Sequence, residues 1–375
     1  MKKIFPAVFA LMLFNTLPLE FNAQTPKLTG AFAASSGVVV DGKGNVFVTG
    51  KNNKIIKISP QGKAELFAGG GRNYKDGKGN QAGFYNTAGI AIDAADNLYV
   101  ADGSRIRKIN PDAIVITIAG TLTAEVRDGP IRTATFLSTE NIAVDNNGNI
   151  YVTDFSPGKD WRPGQIQNSG EYLIRKISAD GFVTTIKDAN DSLLILKYPR
   201  GLACDAAGNL YVCASVSHCI KKIYPAGAIT TVAGQCDKTK FNSVYKEGNI
   251  STAVLTCPSG MTITKNGDIY ITDTRLHRII KIANNKVITV AGTGKFYFTG
   301  NPAGAAEPGY ADGKALSARF NAPAGIAFDR KGNLFIVDAS NSTNSYIRKL
   351  SPDGMVITFC KHEWNPKTSQ YEEVD

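Results

Sequence analysis

The stretch YITDTRLHRIIKI, from Tyr270 to Ile282, places Asp273, His277 and Arg278 within six residues. A carboxylate, an imidazole and a guanidinium this close together are groups that general acid–base catalysis and anion binding use. The chain has only three histidines among its 375 residues, so each histidine is a candidate for a specific role. Whether these groups form a site depends on the elements that carry them.

The pattern around this stretch recurs six times along the chain. Each copy begins with a segment similar to GIAIDAADNLYVAD, and the six copies begin at Gly37, Gly89, Asn141, Gly201, Gly260 and Gly325. A basic run such as IRKI follows, and then a run rich in Val, Ile and Thr. Four short apolar runs separated by Gly, Asn, Asp and Pro are typical of strands joined by tight turns. Six copies predict an all-β fold, a six-bladed β-propeller with four antiparallel strands in each blade.

These residues resemble the NHL-repeat family, whose repeat reads roughly G-I-A-V-D, a G-N turn, L-Y-V-A-D, N-H-R-I and then a strand rich in Val and Thr. The resemblance covers nearly all of residues 24–360. Asn141 departs from the first Gly of the repeat, Thr264 from its Asp, and Gly50 and Ala214 from the Asp that ends the second strand. The family hosts binding modules as well as enzymes, so the resemblance implies a fold and leaves the function open.

Acidic residues recur at two positions of the repeat. One position lies thirteen residues before the repeat start, at Asp76, Asp128, Asp188, Glu247 and Asp312. The other ends the second strand, at Asp102, Asp154, Asp273 and Asp338. A residue repeated in this way has the same structural role in each blade, and we interpret the strand-ending acids as caps of the following loop. The alternative is a ring of acids that holds a divalent cation, calcium or zinc, in the central channel of a metal-dependent lyase, lactonase or other hydrolase.

The histidines and the basic third strand favour a structural interpretation. His277 and His218 occupy the same position in adjacent blades, where a side chain more often packs and hydrogen-bonds a loop. The sequence contains no H-E-x-x-H motif and no nucleophile elbow, so no catalytic residue is predicted, and no cofactor beyond the alternative cation. The third strands carry Lys or Arg in every blade, and long basic side chains ordinarily cover a blade edge while their charges stay in water.

Insertions break the repeat on one face of the predicted propeller. One insertion, residues 155–172, lies between the second and third strands of blade three, and the loops 69–77 and 294–313 join neighbouring blades. Exposed aromatic rings beside amide groups suit sugar or peptide binding. We therefore expect a binding or scaffolding module whose protein, peptide or glycan ligand contacts the loop face at Tyr74, Trp161, Arg162 and Tyr310.

Five of the six cysteines lie between residues 204 and 257. Cys236 and Cys257 flank the long loop between blades four and five, and we predict a disulfide between them, since an exported protein can form disulfides. Cys213 and Cys219 are a second candidate pair. No C-x-x-C motif is present, which disfavours a thiol-redox role.

The N-terminus and the charge indicate the compartment and the partners. Residues 1–23 have the basic start, apolar run and small final residue of a signal peptide. The sequence therefore predicts a secreted or periplasmic monomer without a transmembrane anchor, formed by a propeller over residues 24–360 and a tail over residues 361–375. The formal net charge of +10 suits an acidic cell-envelope polymer as a partner, and export makes nucleic acid an unsuitable one.

Overall fold

The structure is a computed structural model that describes residues 37–50, 53–123, 125–155, 171–236, 245–293, 296–297, 305–306, 308–338, 346–360, 362–365 and 370–373. Six antiparallel sheets follow one another along the chain, each with its four main strands paired in chain order. The prediction of an all-β, six-bladed propeller is confirmed. In the part of the chain described, no helix is long and apolar enough to cross a membrane.

The strands of the first three blades have the following bounds. Blade one contains β1 (Val38–Val40), β2 (Val46–Gly50), β3 (Lys54–Ile58) and β4 (Ala64–Ala68). Blade two contains β5 (Gly77–Lys78), β6 (Thr87–Ile92), β7 (Leu98–Asp102), β8 (Arg105–Ile109) and β9 (Ile114–Ala119). Blade three contains β10 (Gly129–Pro130), β11 (Thr139–Val144), β12 (Ile150–Phe155), β13 (Glu171–Ile177), β14 (Phe182–Thr185) and β15 (Ile195–Lys197).

Blades four to six repeat the arrangement. Blade four contains β16 (Pro199–Cys204), β17 (Leu210–Ala214), β18 (Cys219–Ile223) and β19 (Ile229–Gly234). Blade five contains β20 (Gly248–Asn249), β21 (Pro258–Ile263), β22 (Ile269–Asp273), β23 (Arg278–Ala283) and β24 (Lys286–Ala291), and is followed by a hairpin of β25 (Phe296–Tyr297) and β26 (Ala305–Ala306). Blade six contains β27 (Gly313–Lys314), β28 (Pro323–Phe328), β29 (Leu334–Asp338), β30 (Tyr346–Leu350) and β31 (Met355–Thr358), and is followed by a hairpin of β32 (His362–Asn365) and β33 (Gln370–Glu373). Short 3-10 helices span Gly79–Gln81, Thr274–Leu276 and Ala315–Ser317.

Contacts between first strands close the six blades into a ring. The first strand of each blade contacts the first strand of the next blade, and β28 of blade six contacts β1 of blade one. Six clusters of buried apolar side chains fill the spaces between neighbouring blades. The cluster between blades six and one joins Val337 and Cys360 to Val38 and Val48. Each sheet therefore buries its faces against its neighbours, as radial closure requires.

Buried arginines tie the loops between blades to the sheets. The guanidinium of Arg107 is inaccessible to solvent, and its Nη1 donates to Asp102 at 2.9 Å and to the carbonyl oxygen of Gly83 at 2.9 Å. Its Nη2 donates to Asp76 at 2.8 Å and to the carbonyl oxygen of Lys75 at 3.0 Å. The carboxylate of Asp102 also accepts the N–H groups of Tyr85 and Asn86. One cation thus satisfies both repeat acids, and we call this arrangement the arginine clamp.

The clamp recurs where both acids are present. Arg175 binds Asp154 and Asp128, and Arg348 binds Asp338 and Asp312. Blade five is a variant, because Arg278 lies directly across from Asp273 in the strand register, where blade two has Arg105. The Arg278–Asp273 pair is correspondingly looser, at 3.5 Å.

The acid that lies thirteen residues before the repeat start, which we call the outer acid of each clamp, also binds the fourth strand. Asp76 accepts hydrogen bonds from the backbone N–H and the hydroxyl of Thr117 in β9. Burial raises the pKa of Asp76, but these bonds and Arg107 outweigh it, so the net effect lowers the pKa. Gly77, the next residue, begins the two-residue strand β5, which pairs with β9 at the outer edge. The outer acid therefore fixes the point at which the chain leaves one blade for the next.

Two sequence interpretations of these residues need correction. The basic third strand is not uniformly solvated, because Arg107, Arg175 and Arg348 are fully buried. The third-strand lysines match the expectation, as where Lys108 lies partly exposed over the ring of Tyr99. The strand-ending acids are indeed caps, but Asp102 and Asp154 cap the loop that enters the first strand and not the loop that was expected. Asp273 accepts backbone N–H groups from both loops, from Cys257 before the first strand and from Leu276 after the second.

The predicted Cys236–Cys257 disulfide is wrong, and so is the Cys213–Cys219 pair. Cys236 is bonded to Cys219, with their Cα atoms 5.3 Å apart. Cys219 lies opposite Gly234 in the β18–β19 pairing, so Cys236, two residues further on, returns to its side. Cys257 is a free thiol whose backbone N–H donates to Asp273, and Cys213 is a free buried thiol.

Replacing Arg107 with Met is expected to lower the unfolding free energy by about 3–5 kcal/mol, because it leaves a buried carboxylate without its cation. Burial already raises the pKa of Asp102, so the orphaned group must take up a proton or remain charged in an apolar site. Lys108→Met is the matched control and should cost less than about 1 kcal/mol. Chemical denaturation of both variants measures the difference, and equal costs would contradict the clamp.

Serine substitution of either Cys219 or Cys236 is expected to lower the unfolding free energy by about 3 kcal/mol, since the bridge closes a loop of 17 residues. Cys257→Ser should leave stability within about 1 kcal/mol of the native value. Peptide mapping without reduction should recover the 219–236 linkage. Recovery of a 236–257 peptide instead would show that the pairing described above is incorrect.

Candidate functional site

A cavity of about 420 Å³ lies on the propeller axis, where the first strands of all six blades meet. Repeat-start glycines form much of its wall, at Gly37, Gly89, Gly201, Gly260 and Gly325. A Cβ added to Gly260 would lie 2.0 Å from the carbonyl oxygen of Ala324, and one added to Gly201 would lie 2.1 Å from that of Ser259. Glycine is therefore needed where first strands approach this closely.

Asn141 replaces this glycine in blade three and changes the junction with blade four. Its side-chain amide donates to the carbonyl oxygen of Pro199 at 3.1 Å and thereby bridges β11 to β16. Its backbone N–H donates to the hydroxyl of Thr153 at 2.9 Å. The sixfold pattern of the channel wall is thus broken at one junction, which makes the cavity asymmetric.

The polar part of the cavity mouth lies at the same junction and consists of Glu140, Tyr172, Tyr198 and Arg200, which we call the rim cluster. The hydroxyl of Tyr172 donates to Glu140 Oε1 at 2.6 Å, and the rings of Tyr172 and Tyr198 lie 6.4 Å apart between centroids. Burial and the adjacent Glu140 carboxylate raise the pKa of Tyr172, so its hydroxyl remains a donor. Glu140 and Arg200 are exposed, and Tyr198 is 37% exposed.

The rim cluster combines one anion, one cation and two phenol rings beside an apolar channel. Such a set can bind a polar ligand through charge-assisted hydrogen bonds while an aromatic face covers its apolar part. Tyr198 precedes Pro199 and has a φ of 44°, a backbone region that a non-glycine residue seldom adopts. Strained residues of this kind cluster at binding and active sites.

Sequence reasoning missed the rim cluster, although it recorded Asn141 as a departure from the repeat. The stronger signal lies one residue before the repeat start. Blades one, two, five and six carry Ser36, Ala88, Ser259 and Ala324 at that position, whereas blades three and four carry Glu140 and Arg200. Two neighbouring blades thus have a large charged residue at a position that is otherwise small. Such a substitution indicates that this position has a role other than packing.

The residues predicted to contact a ligand are distributed over several junctions. Tyr74 is half-buried, stacks on Tyr85 at 5.2 Å and lies under the guanidinium of Arg105. Tyr310 is half-buried, packs on Tyr346, covers Arg348 at 4.5 Å and hydrogen-bonds Thr358 through its hydroxyl. Trp161 and Arg162 lie outside the described residues. The contact of these four side chains with a ligand stays a prediction.

The strand-ending acids do not converge as a metal site would require. Asp102, Asp154 and Asp338 are fully buried in their clamps, and Asp273 faces Arg278. Over the described ranges, no group of three or more His, Cys, Asp or Glu side chains is placed to hold a metal ion. A cation in the central channel therefore has no ligand set among these residues.

The fold and one sequence match define the class of protein. The chain is a six-bladed β-propeller, and residues 255–282, which include β21, β22 and most of β23 in blade five, match the NHL repeat.

A curated relative and two solved structures place the chain among known propellers. The chloroplastic protein SUPPRESSOR OF QUENCHING 1 of Arabidopsis thaliana is 26% identical over 298 residues, which is 76% of this chain and 27% of that protein. The chain spans 27% or less of the length of the first curated relatives that it matches. An auxiliary nutrient binding protein of Bacteroides ovatus is 16% identical with a TM-score of 0.59, over 86% of this chain and 72% of that one. A gluconolactonase of Xanthomonas campestris is 15% identical with a TM-score of 0.52, over 86% of this chain and 87% of that one. At such identities these likenesses establish the fold alone.

His277 and His218 hold loops, as their repeat position predicted. Both have positive φ, at 52° and 55°. Nδ1 of His277 accepts the backbone N–H of Ala322 at 2.8 Å, which requires an unprotonated Nδ1, and burial lowers the pKa of His277 accordingly. Nδ1 of His218 instead faces the carbonyl oxygen of Thr256 and must carry the proton. The Asp, His and Arg of the Tyr270–Ile282 stretch are therefore scaffold.

His277 should contribute a fall in the unfolding free energy as the pH drops from 7 to about 5. Its folded pKa is depressed, so the unfolded state binds the proton more readily, and the stabilisation present above the unfolded pKa is lost as the pH falls through the folded one. Buried clamp acids act in the opposite direction, because burial raises the pKa of Asp154 to about 6 and that of Asp338 to about 7. His277→Asn tolerates positive φ and should remove the His277 contribution, so that the unfolding free energy falls less, or rises more, over this range than in the native protein.

The matched control is His218→Asn, which removes the equivalent histidine of the neighbouring blade but no acceptor of a backbone N–H, because Nδ1 of His218 donates to Thr256. Chemical denaturation across this pH range measures both slopes. A His277→Asn slope equal to that of the native protein would contradict the assignment.

Proposed function

We propose that this chain is an exported binding propeller that holds a polar ligand, a peptide or a glycan, at the axial cavity. The observation that carries the proposal is the rim cluster of Glu140, Tyr172, Tyr198 and Arg200, in which Glu140 and Arg200 replace the small side chains of the other junctions. The family resemblance and the propeller fold are compatible with this function, because propellers present their loops and channel mouth to ligands. The signal-like N-terminus supports the secreted or periplasmic location.

The size and the chemistry of the cavity favour a small ligand or one end of a longer one. A volume of about 420 Å³ lies within the range of ordinary small-molecule sites. Glu140 and Arg200 together suit a ligand with both hydroxyl or ammonium donors and carbonyl or carboxylate acceptors. The wider loop-face contact through Tyr74, Trp161, Arg162 and Tyr310 would serve a longer ligand and belongs to the same proposal.

A screen of the purified full chain against glycan and peptide arrays tests the proposal. A retained ligand should lose at least about tenfold in affinity in Tyr198→Ala and in Arg200→Ala, since anchors of this kind dominate binding energy. Tyr224→Ala and Arg132→Ala are the matched controls, because both residues are exposed and neither lines the cavity. Thermal melts of the four variants should agree, which separates binding from folding.

Two outcomes would contradict the proposal. In the first, a ligand is retained whose affinity neither Tyr198→Ala nor Arg200→Ala changes. In the second, the control variants lose as much affinity as the rim variants do.

A further inference from the structure

A second cavity, of about 380 Å³, lies between blades one and two, apart from the rim cluster. Lys54, Gly70, Gly71, Arg72, Tyr85 and Asn86 line it, so two cations face it and none of its described lining residues is acidic. Gly70 and Gly71 leave one wall without side chains. Asn86 lines this cavity and the axial cavity, so the two are adjacent.

A column of stacked groups orients one of the two cations. The guanidinium of Arg105 lies 4.3 Å from the ring centroid of Tyr74, and Tyr74 stacks on Tyr85 at 5.2 Å with an interplanar angle of 25°. The guanidinium of Arg72 lies 5.1 Å from the centroid of Tyr85. The backbone N–H of Tyr85 donates to the clamp acid Asp102, so the column is anchored to the arginine clamp of blade two.

The column restricts the orientation of the exposed Arg72 side chain. A guanidinium that lies near an aromatic ring loses conformational freedom, while its N–H groups remain directed outward in the plane of the fork. That fork matches the two oxygens of a carboxylate, phosphate or sulfate group. Lys54, half-buried on the same wall, adds a second positive charge, and burial lowers the pKa of its amine. An anion beside Lys54 would offset that desolvation.

We propose that this cavity is an oxyanion-binding site, in which Arg72 and Lys54 bind the carboxylate, phosphate or sulfate group of a small acidic ligand. Tyr85 is a positioning residue that holds Arg72. The site is independent of the rim cluster, since Glu140, Tyr172, Tyr198 and Arg200 do not line it.

Titration calorimetry of the full chain at low ionic strength tests the proposal with three probes. Glucuronate supplies a sugar carboxylate, inorganic phosphate supplies the bare oxyanion, and glucose is the neutral counterpart of glucuronate. Glucuronate and phosphate should bind, glucose should not, and affinity should fall as salt is added. Tighter binding of glucuronate than of phosphate would assign the site to acidic sugars, and the reverse to phosphate groups.

The variants test the roles of Arg72 and of the positioning residue Tyr85 against a control elsewhere on the surface. Arg72→Ala should weaken binding by roughly tenfold or more, and Arg72→Lys should restore only part of it, because an ammonium group lacks the planar fork. Tyr85→Leu should weaken anion binding less than Arg72→Ala does. In the Tyr85→Leu background, the further substitution Arg72→Ala should reduce affinity by a smaller factor than it does in the native protein, because a positioning residue acts through Arg72. Arg132→Ala is the control of equal charge and should have no effect.

Three results would overturn the proposal. One is glucose binding as tightly as glucuronate. Another is the failure of the native protein to bind either anion. The third is binding that Arg200→Ala abolishes and Arg72→Ala does not, which would assign the anion to the rim cluster and leave the proposed function intact.

Discussion

The buried arginine between two acids is the interaction on which the rest of the propeller depends. In blade two, Arg107 joins the acid that ends the second strand to the acid that begins the chain's passage between blades. Its guanidinium also binds two backbone carbonyl oxygens of that passage. A buried ion pair adds little net stability over apolar packing, but breaking it is costly, so its main effect is to specify one arrangement. In blades two, three and six the clamp fixes where the loop enters the first strand, and thereby helps to form the channel mouth.

The closed ring leaves few positions of the repeat at which the residue type can vary between blades. Repeat-start glycines are required wherever neighbouring first strands nearly touch, as Gly260 shows against Ala324. The junction of blades three and four escapes that constraint, because the Asn141 side chain spans it. Charged and aromatic residues can be accommodated there without disturbing five other contacts. The ligand recognition that we propose at this mouth therefore relies on a local departure from the repeat at Asn141.

The repeat made the fold predictable from the sequence, whereas contacts across blades were less so. Strand number, turn positions and the scaffold role of His277 all follow from aligning six copies. The clamp was also visible in principle, since the chain has arginine at the Arg107 position only in blades that carry both acids. The charge pattern alone did not reveal the clamp, because Arg107 and Lys108 are both basic. As adjacent strand residues they point to opposite faces of the sheet and therefore differ in burial.

The disulfide and the rim could not be inferred in the same way. The Cys219–Cys236 bond depends on the register between β18 and β19, and loop flanks in the sequence do not reveal a register. The rim cluster joins two blades: Glu140 and Tyr172 come from blade three, and Tyr198 and Arg200 come from the start of blade four, so only the packing of the two blades brings the four together. Local sequence patterns predict individual strands, whereas the residues that line the channel mouth are set by how neighbouring blades pack.

A double-mutant cycle on Asp102 and Arg107 tests the central claim most directly, namely that the repeated acids serve arginines. Asp102→Leu, Arg107→Leu and the double variant would be compared by chemical denaturation. The clamp predicts a coupling energy of about 2–3 kcal/mol, with the double variant less damaged than the sum of the single variants. Additive effects of the two substitutions would contradict the account, because they would mean that Asp102 is held for some purpose other than binding Arg107.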